Sequence, residues 1–231
     1  IIFMTEATQK NNWNYLSLLI SYIIHPVFIP TYLFTTFLYF GNIVFEPYSI
    51  LAQTYVVMLV FITTAIIPLI LLVINMFLLR KKFSNEVLLM NKRQDRIVPF
   101  FYIGIYYSVL TYMFHHYLNF PVLLTSLMLI ISAAVLATAF ISLLWKISAH
   151  AISLGASFMI FILMHTIMPN EHLFYAILVT LLISGITLSS RLNLNAHNPS
   201  QIYIGYLVGI ILGGIGLSYL LPNLLSFTFN F

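Results

Sequence analysis

The sequence predicts an all-α, polytopic transmembrane helical bundle, and three observations carry that reading. Hydrophobic residues make up 61% of the 231-residue chain and charged residues only 6%, against about a quarter charged in a soluble domain. The apolar residues fall into seven runs, each near the ~20 residues that cross a ~30 Å hydrocarbon core at ~1.5 Å per residue. The few polar residues gather between the runs, so no sizeable soluble domain is left over.

The first run, residues 16–40, follows Glu6, Lys10, Asn11 and Asn12, and it is too long for the apolar region of a cleaved signal; it reads as an anchor that stays. His25, Pro26 and Pro30 lie inside it, which predicts a kinked or partly interfacial segment, or six full spans plus an irregular one. His25 itself can face the same pocket as the other basic-face residues or satisfy a carbonyl freed by the proline, and the second is expected. The second run, 50–79, is long and contains Pro68, predicting a bent, tilted helix that leaves the bilayer toward Arg80. Runs 98–117 and 121–145 are joined by a tight turn at Asn119 and Pro121, and runs 151–168 and 173–188 by Pro169 and Asn170. The last run, 202–221, carries Gly205, Gly209 and Gly213 at four-residue spacing, a pattern for close helix packing. The whole chain, 1–231, is expected to be one integral-membrane domain.

Alternate crossings bring the N-terminus, residues 80–97, residues 146–150 and residues 189–201 to one face. All nine Lys and Arg fall there. The other face has Glu46, Glu171, His115, His116 and His172 and no Lys or Arg. An excess of cations marks the cytoplasmic side of membrane proteins, so the basic face is expected in the cytoplasm. Arg93 and the cluster at 80–82 read as topology determinants attracted to anionic membrane lipids. A net charge of +4, dispersed and without recognition-helix spacing, does not suit nucleic acid. Absence of cysteine excludes disulfides, thiolate metal sites and a thiol nucleophile. The histidines on the acidic face sit in loops whose spacing does not bring them together, so no metal site is expected. Oligomeric state leaves no trace in the sequence.

The basic face also holds the candidate chemistry. His150 ends the run Lys146-Ile147-Ser148-Ala149-His150, and His197 lies six residues after Arg191 in Ser190-Arg191-Leu192-Asn193-Leu194-Asn195-Ala196-His197. Two intervening helices return the chain to the same face, so both histidines can share a pocket, with Lys92 and Arg96 arriving from a third loop. Imidazoles among guanidinium and ammonium groups suit a phosphate: Arg binds two oxygens as a fork, Lys supplies a point charge and Ser148 a hydroxyl donor. A neutral histidine can attack phosphorus while a protonated one donates to the departing oxygen. No metal or other cofactor is required for such a scheme.

These residues carry a resemblance. The chain resembles the type 2 phosphatidic acid phosphatases, metal-independent membrane phosphatases with a six-helix core. Their third motif, Ser-Arg, five residues, His, three residues, Asp, is matched by Ser190, Arg191 and His197, with Gln201 at the Asp position. Their Pro-Ser-Gly-His motif is matched at Ser148 and His150, with Ile147 and Ala149 at the other two places. The Lys, six residues, Arg-Pro motif has a compressed counterpart in Lys92, Arg96 and Pro99. The likeness covers approximately residues 80–221. It implies hydrolysis of a membrane lipid phosphomonoester or a polyprenyl diphosphate through a phosphohistidine on His197, with His150 as general acid. Arg191, Ser148, Lys92 and Arg96 would hold the phosphoryl oxygens, and Gln201 would orient His197. It further implies a bacterial cytoplasmic membrane as the location. Two other readings suit the same residues: a noncatalytic phospholipid-binding or lipid-handling protein that keeps a degenerate phosphatase site, and a small transporter.

Overall fold

The computed structural model describes residues 6–41, 49–78 and 94–228, with side chains described for a somewhat narrower set. The described residues are all-α with no strand. The helices are α1 (Glu6–Ile23), α2 (Ile29–Phe40), α3 (Ile50–Phe61), α4 (Ile67–Leu78), α5 (Gln94–His116), α6 (Val122–Leu144), α7 (Ala149–Ile167), α8 (Glu171–Asn193) and α9 (Pro199–Thr228). Among the described residues, seven segments are long and apolar enough to cross a membrane. They coincide with the seven runs read from the sequence, α1 with α2 forming the first and α3 with α4 the second.

Proline sets the irregularities. Pro26 has no N–H to continue α1, and the chain passes through one 3-10 turn, Pro26–Phe28, before α2 begins. The carbonyl of Ile23, left at the broken end, accepts the Tyr32 hydroxyl at 2.8 Å. The break changes the course of the segment. Asn193, at the last turn of α8, donates to Asn14 and Ser17, while His150, at the first turn of α7, meets Ser21 O. Residues 14–21 therefore stay beside the ends of α8 and α7, and only after the break does the chain descend, to where Phe40 packs on His172. In the second span a π-helical turn, Ile62–Ile66, precedes Pro68. Pro68 removes the donor that Thr64 O would have met in a regular helix, and the Tyr107 hydroxyl of α5 takes its place at 2.5 Å, with Tyr106 donating to Thr63 O at 2.9 Å. In lipid such carbonyls need protein donors, so the kink is also a docking point for α5.

Lipid removes the ordinary hydrophobic drive between helices, and close approach of backbones replaces it. The glycine series of α9 lies against α7. A Cβ at Gly213 would sit 2.7 Å from Ala156 O, one at Gly205 3.2 Å from Ser148 O, and one at Gly209 would overlap Ile152 O. Gly155 of α7 returns the contact, with no room for a Cβ beside Tyr206 O. Between α5 and α6 a polar clasp adds to packing: the Ser108 and Ser132 hydroxyls share a hydrogen bond of 2.7 Å, and Ser132 also reaches Gly104 O. Phe34, Phe37, Leu127 and Met128 fill the centre with no exposure.

Two outcomes test this architecture. Gly209→Leu forces α7 and α9 apart and lowers stability by about 1–3 kcal/mol or more, whereas Gly185→Leu, with nothing within 4 Å of its added Cβ, leaves the melting temperature in detergent near the wild-type value; equal melting temperatures for the two variants would overturn the glycine contact. Because the chain has no cysteine, single cysteines are clean reporters of side. Tyr117→Cys and Ser200→Cys, at exposed positions, react with a membrane-impermeant maleimide from opposite sides, and labelling of both from one side would refute the crossing pattern.

Candidate phosphate-binding site

At the basic end the helices enclose a cavity of ≈ 100 Å³ whose wall includes His25, Arg96, His150, Arg191 and His197. Below these polar groups the wall is almost entirely apolar. On α5 the lining residues Arg96, Phe100, Ile103 and Tyr107 recur at helical spacing, so the cavity follows that helix for about 16 Å at ~1.5 Å per residue. Ile130, Ala134 and Thr138 of α6 and Ala156 and Ile160 of α7 face it across the gap.

The corner between α8 and α9 places two of the polar groups. Asn195 adopts a left-handed conformation (φ 51°), and Ala196 N closes on Arg191 O at 3.1 Å. This is a helix end of the kind asparagine tolerates. Asn198 then accepts from Gln201 N at 3.0 Å and Ser200 Oγ at 3.0 Å, starting α9 with Pro199 in its first turn. The two caps fold the six residues after Arg191 into a corner, so that Arg191 (1% exposed) and His197 (6% exposed) both reach the cavity.

Hydrogen bonds assign the His197 tautomer. Gln201 Oε1 lies 3.1 Å from Nδ1 and also accepts from Asn198 N at 3.3 Å, so the oxygen is oriented and Nδ1 carries the proton. Nε2 is then the lone-pair nitrogen, and the Arg96 guanidinium approaches it with Nη1 and Nη2 each at 3.5 Å. Arg96 Nη1 also donates to Ile147 O at 2.9 Å, tying α5 to the residue just before the α7 cap. Burial, followed by the Arg96 and Arg191 charges, holds the His197 pKa down to about 3, while the Gln201 bond acts in the other direction. The imidazole is neutral at physiological pH. Lys146, half-buried nearby, is lowered by burial and by the same two arginines.

His150 meets Ser21 O through Nε2 at 3.1 Å, and as the carbonyl can only accept, Nε2 is the protonated nitrogen. Arg191 is the least satisfied group: its Nε and Nη1 are buried with no hydrogen-bond partner among the described residues. No carboxylate is among the described residues that line the cavity. A buried guanidinium without an acidic neighbour among the described residues favours an anion, since an uncompensated charge in a low dielectric costs several kcal/mol.

The structure thus gathers His150, His197, Arg96 and Arg191 around one cavity and sets Gln201 against the His197 ring. Ser148 is placed differently: its hydroxyl caps α7 by accepting from Ala151 N at 3.3 Å, its N–H meets Gln201 O at 3.4 Å, and it is absent from the cavity wall. Lys92 lies outside the described residues, as does Arg93. Lys146 was not singled out as a site residue by motif or spacing, and His25, expected to satisfy a freed carbonyl, instead lines the cavity and accepts from Val27 N, the Ile23 carbonyl being taken by Tyr32. The signal for His25 was the His-Pro pair inside an apolar run, where a helix break puts a polar side chain at membrane depth. At the opposite end His115 and His116 adjoin each other and His172 packs on Phe40; among the described residues no three potential ligands come together to hold a metal ion.

The His197 environment makes stability depend on pH. The native ring stays neutral to about 3, whereas the unfolded chain takes up the proton near 6.5. The unfolded state therefore binds more protons in that window, and the stability held by neutral His197 is complete above about 6.5 and lost as pH falls toward about 3. His197→Asn removes this term, and its stability falls less steeply than the wild type's between pH 6.5 and 4.5, by up to about 1.4 kcal/mol per pH unit. Thermal melts in detergent across that range check it; parallel slopes for the two proteins would contradict the assigned neutral ring.

Comparison with known proteins leaves the site to be read from its own chemistry: no protein-family model, no curated protein and no solved structure matches the chain.

Proposed function

We propose that the protein is a membrane-embedded, metal-independent phosphatase of the type 2 phosphatidic acid phosphatase kind, acting on a lipid phosphomonoester or a polyprenyl diphosphate. One observation carries the reading: the buried Arg191 guanidinium, with two nitrogens unpartnered among the described residues, faces a cavity that has histidines and a second arginine at one end and an apolar wall beyond. A phosphate supplies the missing acceptor oxygens, and a lipid tail suits the apolar remainder.

In this mechanism the Nε2 lone pair of His197 attacks phosphorus as the bond from phosphorus to the leaving oxygen breaks. Arg96 and Arg191 stabilise charge on the oxygens in transfer. The headgroup's negative charge favours a proton on His150 Nδ1, the nitrogen not engaged by Ser21 O, and His150 passes that proton to the leaving oxygen. Water then attacks the phosphohistidine, giving a proton back to His150 Nδ1 as the P–N bond breaks, which releases inorganic phosphate and restores both histidines. Gln201 fixes the tautomer that makes Nε2 nucleophilic. It carries no charge to balance the phosphoimidazole, and this neutrality favours a second reading, a lipid-phosphate binding protein without turnover. The basic end is proposed to face the cytoplasm, as the cation distribution favours; Tyr117→Cys should then label in intact cells and Ser200→Cys only after permeabilisation, and the reverse pattern would overturn the orientation.

The purified protein in EDTA is expected to release phosphate from at least one of phosphatidate, phosphatidylglycerol phosphate and a polyprenyl diphosphate. His197→Ala should lower that rate at least about a thousandfold while remaining folded. Full activity in His197→Ala refutes the nucleophile, and tight binding of these lipids with no release by the wild type selects the noncatalytic reading.

A further inference from the structure

The N-terminal span brings a third imidazole to the cavity. His25 sits where α1 gives way to the 3-10 turn, in extended conformation (φ −67°, ψ 138°), and its Nδ1 accepts the Val27 N–H at 3.3 Å. A ring nitrogen that accepts an amide proton carries none itself, so the His25 proton is on Nε2. Protonating Nδ1 as well would set two N–H groups against each other, and the capped turn thus favours the neutral ring with an Nε2–H donor. That nitrogen makes no hydrogen bond to any described residue. The His25 ring stands edge-on to His150, with centroids 5.6 Å apart and planes at 86°. One turn earlier, Ser21 O holds His150.

We propose that His25 is a phosphate-binding residue, its neutral Nε2–H donating to a phosphoryl oxygen of the headgroup bound between Arg96, Arg191 and His197. The inference rests on the phosphate reading of the cavity and adds a contact from outside the phosphatase-like stretch of 80–221. The cavity already carries Arg96 and Arg191, with Lys146 close enough to feel both. A further cation would raise the repulsion in the empty site, whereas a neutral N–H gives a directional bond to phosphate without it. The arrangement also explains why the first span is broken at this level. A continuous helix would leave no extended residue at 25, no free amide at Val27 to fix the tautomer, and no descent of α2 that puts Pro30 and Leu33 on the cavity wall. On this assignment the N-terminal span is part of the site itself.

Two substitutions separate the donor from the cap. His25→Asn places an amide oxygen where Nδ1 accepts from Val27 and removes the Nε2 donor; His25→Gln extends an amide toward the Nε2 position and loses the cap. The detergent-solubilised proteins are titrated with dodecylphosphonate, whose carbon–phosphorus bond resists hydrolysis, and separately with inorganic phosphate. The wild type is expected to bind both, the phosphonate more tightly because of its tail. His25→Asn keeps the wild-type melting temperature and weakens both ligands by about the same factor, roughly tenfold. His25→Gln melts lower and stays closer to wild type in affinity. Wild-type affinity in His25→Asn overturns the assignment and leaves the phosphate reading standing, whereas failure of the wild type to bind either ligand overturns the phosphate reading and this inference with it. A readout without substitution decides the case if the asparagine variant does not fold: the nitrogen-15 resonance of His25 Nε2 in the wild type moves on adding dodecylphosphonate, and an unmoved resonance refutes the contact.

Discussion

A guanidinium with 1% exposure, at the end of a transmembrane helix and with no carboxylate among the described residues of the cavity wall, is the constraint around which the basic end is arranged. In a soluble protein Arg191 would be paired with an acid or turned to water. Here burial withholds the water, and the described polar groups that share the cavity wall with it include Arg96, His150, His197 and His25, none of which carries negative charge. Carbonyls offset part of the cost: Ile147 O takes Arg96 Nη1, and Ser21 O takes His150. The remainder stays as an electropositive, partly unsatisfied surface. Such a surface is costly to maintain empty and favourable once an anion enters, the usual condition of a preorganised binding site.

Packing determines whether these groups can act together. The α7 and α9 backbones approach until several glycines have no room for a Cβ, and that contact keeps Ser148 N against Gln201 O. His150 projects from the α7 terminus and His197 immediately precedes α9. Their spacing is therefore governed by the glycine seam, several turns of which lie well inside the membrane. The π-helical turn before Pro68 plays a comparable part at the other end of the cavity, because its Thr64 carbonyl, left without a helical donor, anchors Tyr107, one of the residues that line the apolar wall. Local breaks in two helices, at Pro26 and Pro68, thus supply polar anchor points where an unbroken bundle would have none.

The readings taken from the sequence divide by the kind of information they need. Span number was legible because crossing a bilayer depends on the summed apolarity of ~20 consecutive residues, a local property. The pairing of His150 with His197 at one end was legible for a related reason: each crossing reverses direction, so counting spans between two positions tells their side. The glycine seam followed from a four-residue repeat. Ser148 was harder to read, since a serine before a helix can offer its oxygen to the helix or its hydroxyl to a ligand, and both uses have the same sequence signature. His25 was legible as an oddity beside Pro26, but its direction was not.

Which residues form the spans and which share one end of the bundle were thus determined by the sequence alone, through composition and alternation. Which way each helix is turned about its axis was decided only by the tertiary structure. In water that rotation is written in the sequence as an apolar stripe facing the core, but in lipid both faces of a span are apolar and the stripe vanishes. The rotations that aim Arg191, Arg96 and His25 into one cavity, and the course of residues 14–21 beside α7 and α8, follow from backbone contacts, proline breaks and caps that form only when the helices meet.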